Sequence, residues 1–273
     1  MKRKGSTSRS PHKLALYRRA VQHPDAEAHF LKRVFRHYRG EDAFLCREDF
    51  AGTTAVATSW VAMHPDHQAM AIEKHGPTAR WAERHTTHLL GERASDLHIV
   101  QADVLELTSP RVDVTCALNF STFIYHDRAS LKHYLRSARK GLKRDGVLVI
   151  DAYGGPGAMR VGTQTRRVPE SDEGPGFMYH WEQRTFDPVT HLTECRIHFT
   201  VPGRGRIDSA FIYRWRLWTL PELIELMLEA GFSRAQAWCD TYRQTEGISD
   251  GRYRPVSKMP AREDWVAYVV GVR

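Results

Sequence analysis

The sequence has no apolar run near the ~18 residues that a membrane-spanning helix needs, so no membrane association is expected. Its four cysteines, at 46, 116, 195 and 239, stand far apart. No pair has the CxxC or metal-ligand spacing of a redox or zinc site. Fifteen histidines are present, yet no HExxH or related ligand pattern occurs, so no metal is expected. The basic start, MKRKGSTSRSPHK, is followed by no apolar stretch and does not read as a secretory signal. Free thiols in a reducing, cytoplasmic setting are the simplest expectation. Also missing is the GxGxxG turn that lets a dinucleotide pyrophosphate approach the backbone. Its absence disfavours NAD.

The formal net charge of +8 is unevenly placed. Residues 1–40 hold 11 Lys and Arg against two acids, and the remainder holds 29 against 30. The body therefore lacks the basic excess of a nucleic-acid groove. The basic start reads as a solvated tail, or as an arm for phosphate or acidic ligands. At roughly 100–200 residues per domain, 273 residues make one large domain or two small ones. A hydrophobic share of 41% is enough for a sizeable core.

Helical spacing over 14–40 marks Leu16, Ala20, Phe30, Val34 and Phe35 as buried, with a break at His23-Pro24-Asp25 and Asp25 as the second helix cap. Short strands at 43–46, 68–72, 97–100, 112–118 and 147–150 alternate with helices at 52–63, at 76–90 and after Asp127. That alternation argues for a parallel sheet covered on both faces. Residues 160–176 are polar and rich in Pro and Gly, and read as a loop or lid. Period-two alternation over 177–217 predicts a three-stranded antiparallel insert. Thr219-Leu220-Pro221-Glu222 is a capping box for a helix ending at Gly231. Two last strands follow at 235–238 and 265–272. The expected division is a basic tail with N-terminal helices (1–40), a core (41–158 and 218–273) and a lid with its insert (159–217).

Four strand ends carry chemistry. The stretch LCREDFAGTTAVA at 45–57 puts three charges between an apolar run and a helix of small residues. It reads as a strand delivering its loop to a ligand, with helix N–H groups facing that ligand. Glu73, ending the second strand, offers a carboxylate to two ribose hydroxyls. Asp103, after the third, can accept from an adenine amino group while the Val104 N–H donates to the ring. Asn119 ends a buried strand, where its amide needs partners. Taken singly, each is also compatible with an ordinary solvated turn.

In this order the four ends resemble the class I S-adenosylmethionine-dependent methyltransferases. The nearest pattern is a bacterial group with an R-E-D-F-C/A-G-T first motif, which also carries C-A-x-N-F-S, DAYGG or DAFGG, and W-R-L-W-T-L-P-E. This chain has the corresponding residues at 47–53, 116–121, 151–155 and 215–222. The resemblance runs from about residue 40 to the end. It implies an α/β, Rossmann-like seven-stranded sheet with N-terminal helices and an antiparallel insert after strand five. It also implies S-adenosylmethionine as cofactor. Glu48 would organise the first loop, Phe50, Ala51, Gly52 and Thr53 would pass the methionine portion, and Glu73 would hold the ribose. Asp103 and Val104 would hold adenine, and Asn119 and Phe120 would line the transfer site. Arg47 either meets the cofactor carboxylate or pairs with Glu48 or Asp49 as structure.

A sulfonium methyl is already activated, so the protein has to align a nucleophile and, where needed, remove a proton. The candidate bases are His126 first, since 123–126 follow the fourth strand tip, then Tyr125, Tyr153 and His180. Tyr179, Trp181, Tyr213 and Trp215 of the insert form core and roof the acceptor pocket. The expected acceptor is a small molecule, aromatic or anionic, with O-, N- and C-methylation all open. One alternative is an RNA or DNA methyltransferase using the basic N-terminal segment. Against it stand the neutral body and the lack of an Asn/Asp-Pro-Pro-aromatic motif at 119–122. Cys116, which resembles a cytosine-attacking thiol, reads as core. The other alternative is a non-catalytic cofactor-binding protein.

Overall fold

The computed structural model describes residues 12–242 and 249–273. The basic residues 1–11 lie outside the described residues. Two helices open the chain, α1 (Lys13–Val21) and α2 (Pro24–Arg39). His23 is the N-cap of α2 and makes no side-chain cap bond, and Pro24 occupies the first turn. Asp25 is thus inside the helix and not its cap. Its carboxylate instead accepts from Ser59 Oγ at 2.6 Å.

The core alternates β1 (Leu45–Asp49), α3 (Ala55–Met63), β2 (Gln68–Ile72), α4 (Gly76–Leu90), β3 (Leu97–Val100), β4 (Val112–Ala117), α5 (Arg128–Lys140) and β5 (Leu142–Gly154). These five strands are parallel, in the order β3-β2-β1-β4-β5. All six residues of β4 are buried, as a central strand with both faces covered requires. Phe30, Val34 and Trp60 cover one face with α2 and α3; Leu131, Leu135, Leu223 and Leu226 cover the other. Each such side chain contributes about 1.5–3 kcal/mol on burial.

An antiparallel sheet follows: β6 (Gly162–Val168), β7 (Phe177–Phe186), β8 (Leu192–Val201) and β9 (Gly205–Arg216). It has four strands where alternation predicts three. Six of the seven residues of β6 are exposed, so this edge strand has no apolar alternation to betray it. Helix α1 packs on this sheet through Leu16 and Ala20 against Phe177, Ile197 and Phe199. The chain then returns through α6 (Leu220–Glu229), whose Thr219–Glu222 capping box is present. It ends in β10 (Arg234–Tyr242), β11 (Ser249–Val256) and β12 (Trp265–Val272). β12 adds antiparallel to β5, β10 to β12 and β11 to β10. The sheet therefore has eight strands; the strand beyond the expected seven is β11 at the edge. No helix among the described residues is long and apolar enough to cross a membrane.

The first strand is shifted from the expected 43–46. It runs to Asp49 and contains the charge triplet, with Arg47, Glu48 and Asp49 all buried. Arg47 Nε donates to Asp49 Oδ1 at 2.6 Å, and the other guanidinium nitrogens donate to the carbonyls of Leu107 and Val104. Tyr134 Oη donates to Asp49 Oδ2 at 3.0 Å. Arg47 is thereby a structural residue turned away from the strand tip. Removing one member of a buried pair typically costs about 3–5 kcal/mol, because the other charge stays buried alone. Arg47→Met should lower stability by that amount in urea unfolding. Arg47→Met with Asp49→Leu should recover much of it. A single variant as stable as the parent would contradict this account.

Candidate functional site

The loop from β1 to α3 is compact because three of its residues are left-handed: Phe50 (φ 54°), Gly52 (φ 51°) and Thr54 (φ 57°). Two of these are not glycine, so surrounding bonds must hold them. Ala51 N donates to the Ile72 carbonyl at 2.9 Å and Gly52 N to Glu73 Oε2 at 2.9 Å. Glu73 Oε1 also accepts from His75 N at 2.6 Å. Glu48 Oε2 accepts from Ala57 N at 2.8 Å, in the first turn of α3. On the next tip, Asn119 (φ 58°) and Phe120 (φ 59°) are both left-handed. Their N–H groups donate to the two oxygens of Asp151, each at 2.8 Å.

Two adjoining cavities open at these tips. The lower, of about 250 Å³, is lined by Phe50, Ala51, Gly52, Thr53, Glu73 and Asn119, among others. The upper, of about 550 Å³, lies beneath the antiparallel sheet and includes Phe120, Tyr153, Trp181 and Gln183. Tyr17, Asn119, Tyr213 and Trp215 line both. Glu48 supports the lower cavity without lining it. Asp103 and Val104 line neither. Asp103 is partly exposed and paired with Lys74 at 2.8 Å, which holds its carboxyl below the ordinary range. Val104 is 5% exposed, and its carbonyl accepts from Arg47.

The candidate bases separate. His126 is exposed, donates to the Arg214 carbonyl at 2.9 Å and lines neither cavity. It follows the strand tip in sequence, but the short turn at 121–124 carries it past the cavities. Tyr125 also lines neither; its ring packs on Phe50 and stacks on Tyr134. His180 bridges Thr165 and Thr200. Alternation along β7 gives the cavity Tyr179, Trp181 and Gln183 and turns His180 to the other face. Tyr153 does line the upper cavity. Its hydroxyl is buried without a hydrogen-bond partner among the described residues, and burial raises its pKa.

Sequence reasoning missed the share of the N-terminal helix. Tyr17 of α1 lines both cavities, and its ring packs on Phe211 of β9 at 4.9 Å. Gln22 accepts from Thr53 Oγ1 at 2.5 Å, tying the end of α1 to the first loop. The helical spacing of Leu16 and Ala20 signalled burial, but not against what, and gave Tyr17 no part in a site.

Burial raises the pKa of three carboxyls, Glu27 of α2, Glu48 of β1 and Asp151 of β5. Burial raises Glu27 to about 8, with Asp151 adding to the effect. It raises Glu48 to about 8 and Asp151 to about 7, against the pull of the backbone N–H bonds each accepts. Glu27 Oε2 has no hydrogen-bond partner among the described residues. In the unfolded chain these groups ionise near 4 to 4.5. Above that pH the native state binds more protons than the unfolded one, so stability falls as pH rises. The thermal midpoint of the ligand-free protein should decline between pH 5 and pH 8. A midpoint rising across that window would contradict the raised values.

No family model and no curated protein matches the sequence. Solved structures do match in fold. The sugar N-methyltransferase KedS8 from Streptoalloteichus is 21% identical, with a TM-score of 0.66, over 100% of this chain and 96% of that one. CalS10, an amino pentose methyltransferase from Micromonospora echinaspora, is 15% identical with a TM-score of 0.68, over 99% and 100%. An S-adenosylmethionine-dependent methyltransferase from Clostridium acetobutylicum is 17% identical with a TM-score of 0.65, over 94% and 96%. At these identities the likeness shows a shared methyltransferase-type Rossmann-like fold.

Proposed function

We propose that the protein is an S-adenosylmethionine-dependent methyltransferase acting on a small-molecule acceptor. The observation that carries this reading is the pair of cavities meeting at Asn119, with strand tips below and an aromatic roof above. The residues present fit the cofactor. Glu73 spends one lone pair of each oxygen on a backbone N–H and keeps the others for vicinal hydroxyls. The compact 50–54 loop suits a ligand without a pyrophosphate. Asp103 and Val104, outside both cavity linings, would meet only the adenine end.

When bound, the cofactor supplies a methyl group activated by its sulfonium. The protein's own part is placement. Glu73 fixes the ribose, and Asn119 stands at the opening between the two cavities. The insert and α1 exclude water, which holds the acceptor in an attack geometry. A roofed cavity of about 550 Å³ is in the range of small-molecule sites. A duplex or RNA would need an open basic groove. That the similar structures include enzymes described as acting on sugars supports the same acceptor size.

S-Adenosylmethionine and S-adenosylhomocysteine should bind at micromolar levels in calorimetry, roughly −8 kcal/mol. Glu73→Ala should weaken both at least tenfold, since each charge-assisted bond is worth about 1.5–3 kcal/mol. Circular dichroism should show the fold retained. No heat with either ligand, or full affinity in Glu73→Ala, would defeat the assignment.

A further inference from the structure

We propose that His12, Trp81 and His85 form a latch that holds α1 over the lower cavity, closed while both imidazoles are neutral and released when they take up protons. That the lower cavity belongs to the cofactor rests on the methyltransferase reading above. Leu14 and Tyr17 of α1 line that cavity, as do Gln22 at the end of α1 and Thr78 of α4. Both helices thus wall the space the cofactor would fill. α1 buries its apolar face against the insert. Toward the core it is held at its ends, by Gln22 on Thr53 and by the rings that join its N-terminus to α4.

Three rings in stacked contact make the latch. His12 lies on Trp81 with centroids 5.5 Å apart and planes 17° from parallel, and Trp81 lies on His85 at 4.8 Å and 20°. Trp81 and His85 are four residues apart on α4 and so share one face. His12 is also the N-cap of α1, its Nδ1 accepting from Leu14 N at 3.3 Å. An imidazole accepts only through an unprotonated nitrogen, and an imidazolium has none. A proton on His12 therefore removes the cap and puts positive charge at the positive end of the helix dipole. The Nε2 of His85 is buried with no hydrogen-bond partner among the described residues.

Cations flank both imidazoles. Burial lowers the pKa of His12, and Lys13 of α1 and Arg84 of α4 add to this. Burial lowers that of His85 as well, with Arg18 of α1 and His88 of α4 adding to the effect. Glu173, from the segment before β7, opposes it but is itself paired with Arg18 at 2.6 Å. The attraction of an imidazolium for the Trp81 face also opposes, but His12 can gain it only by giving up the cap bond. The latched state thus binds fewer protons than the released one, in which both groups titrate at about 6.5. Closure is complete above that pH and weakens as pH falls below it. The raised carboxyls of Glu27, Glu48 and Asp151 carry the opposite sign, so the fold as a whole gains stability over the range in which α1 comes loose.

The test follows α1 and S-adenosylhomocysteine separately in the full-length protein. Hydrogen exchange, corrected for the intrinsic pH dependence of exchange, reads the protection of α1. Stopped-flow tryptophan fluorescence reads the dissociation of S-adenosylhomocysteine. Between pH 7.5 and pH 5.5, protection of α1 should fall severalfold while that of α5 does not, and dissociation should quicken severalfold. His12→Asn keeps a capping oxygen and His85→Phe keeps a ring, and neither side chain titrates in this range. The double variant should hold α1 equally at both pH values. Trp81→Ala should loosen α1 already at pH 7.5. Protection indifferent to pH, or a double variant as pH-dependent as the parent, would overturn the latch. Release of α1 at pH 5.5 with unchanged dissociation of S-adenosylhomocysteine would overturn its hold on the cavity. Absence of S-adenosylhomocysteine binding at every pH, with α1 still released by acid, would instead overturn the methyltransferase reading and leave the latch standing.

Discussion

The buried pairing of Arg47 with Asp49 is the interaction on which the rest of this structure depends. The guanidinium joins β1 to the segment after β3 through the Val104 and Leu107 carbonyls, and Asp49 joins β1 to α5 through Tyr134. Three elements distant in sequence are thus locked in register beneath the strand tips. Two charges lose their hydration in that arrangement, which is tolerable only because each finds several partners. A lysine could supply the charge but not the fork that meets a carboxylate and two carbonyls at once.

Around that lock, carboxylates repeatedly satisfy backbone N–H groups that no ladder or helix can reach. Glu48 serves Ala57, Glu73 serves Gly52 and His75, and Asp151 serves Asn119 and Phe120. Asp113 does the same at the other end of the sheet for Phe44 and Leu45. Left-handed residues at strand tips leave such donors unmatched, and an unmatched buried donor is costly. The consequence is that two of these acids, Glu48 and Asp151, are fully buried near the strand tips, where burial raises their pKa.

The antiparallel sheet and α1 act as one roof. Tyr17 and Val21 reach the cavity from α1, while Arg18 pairs with Glu173 and Arg19 donates to the carbonyls of Pro169 and Pro175. The helix therefore packs on the insert, and Gln22 is its polar tie to the first loop. Ring packing among Trp181, Tyr213 and Trp215 makes the roof's inner face stiff.

The sequence by itself determined what depends on near neighbours. The all-apolar β4, the Thr219–Glu222 box, the Asp127 cap of α5 and the alternating strands at 177–217 follow from local periodicity and capping. So do the polar residues Glu73 and Asn119 at strand tips, since each directly follows an apolar run. Tertiary structure decided what depends on distant chain. Whether Arg47 faced a ligand or Asp49 turned on the path of residues 104–107. β6 and β11 exist because a neighbouring strand offers an edge to pair with, not because their own residues alternate. His126 and His180 lost their candidacy to backbone direction, and Tyr17 gained a place because α1 folds back over 100 residues of intervening chain onto the insert. Side-chain type is written locally, but which cavity a side chain meets is set by how sheet and roof close on each other.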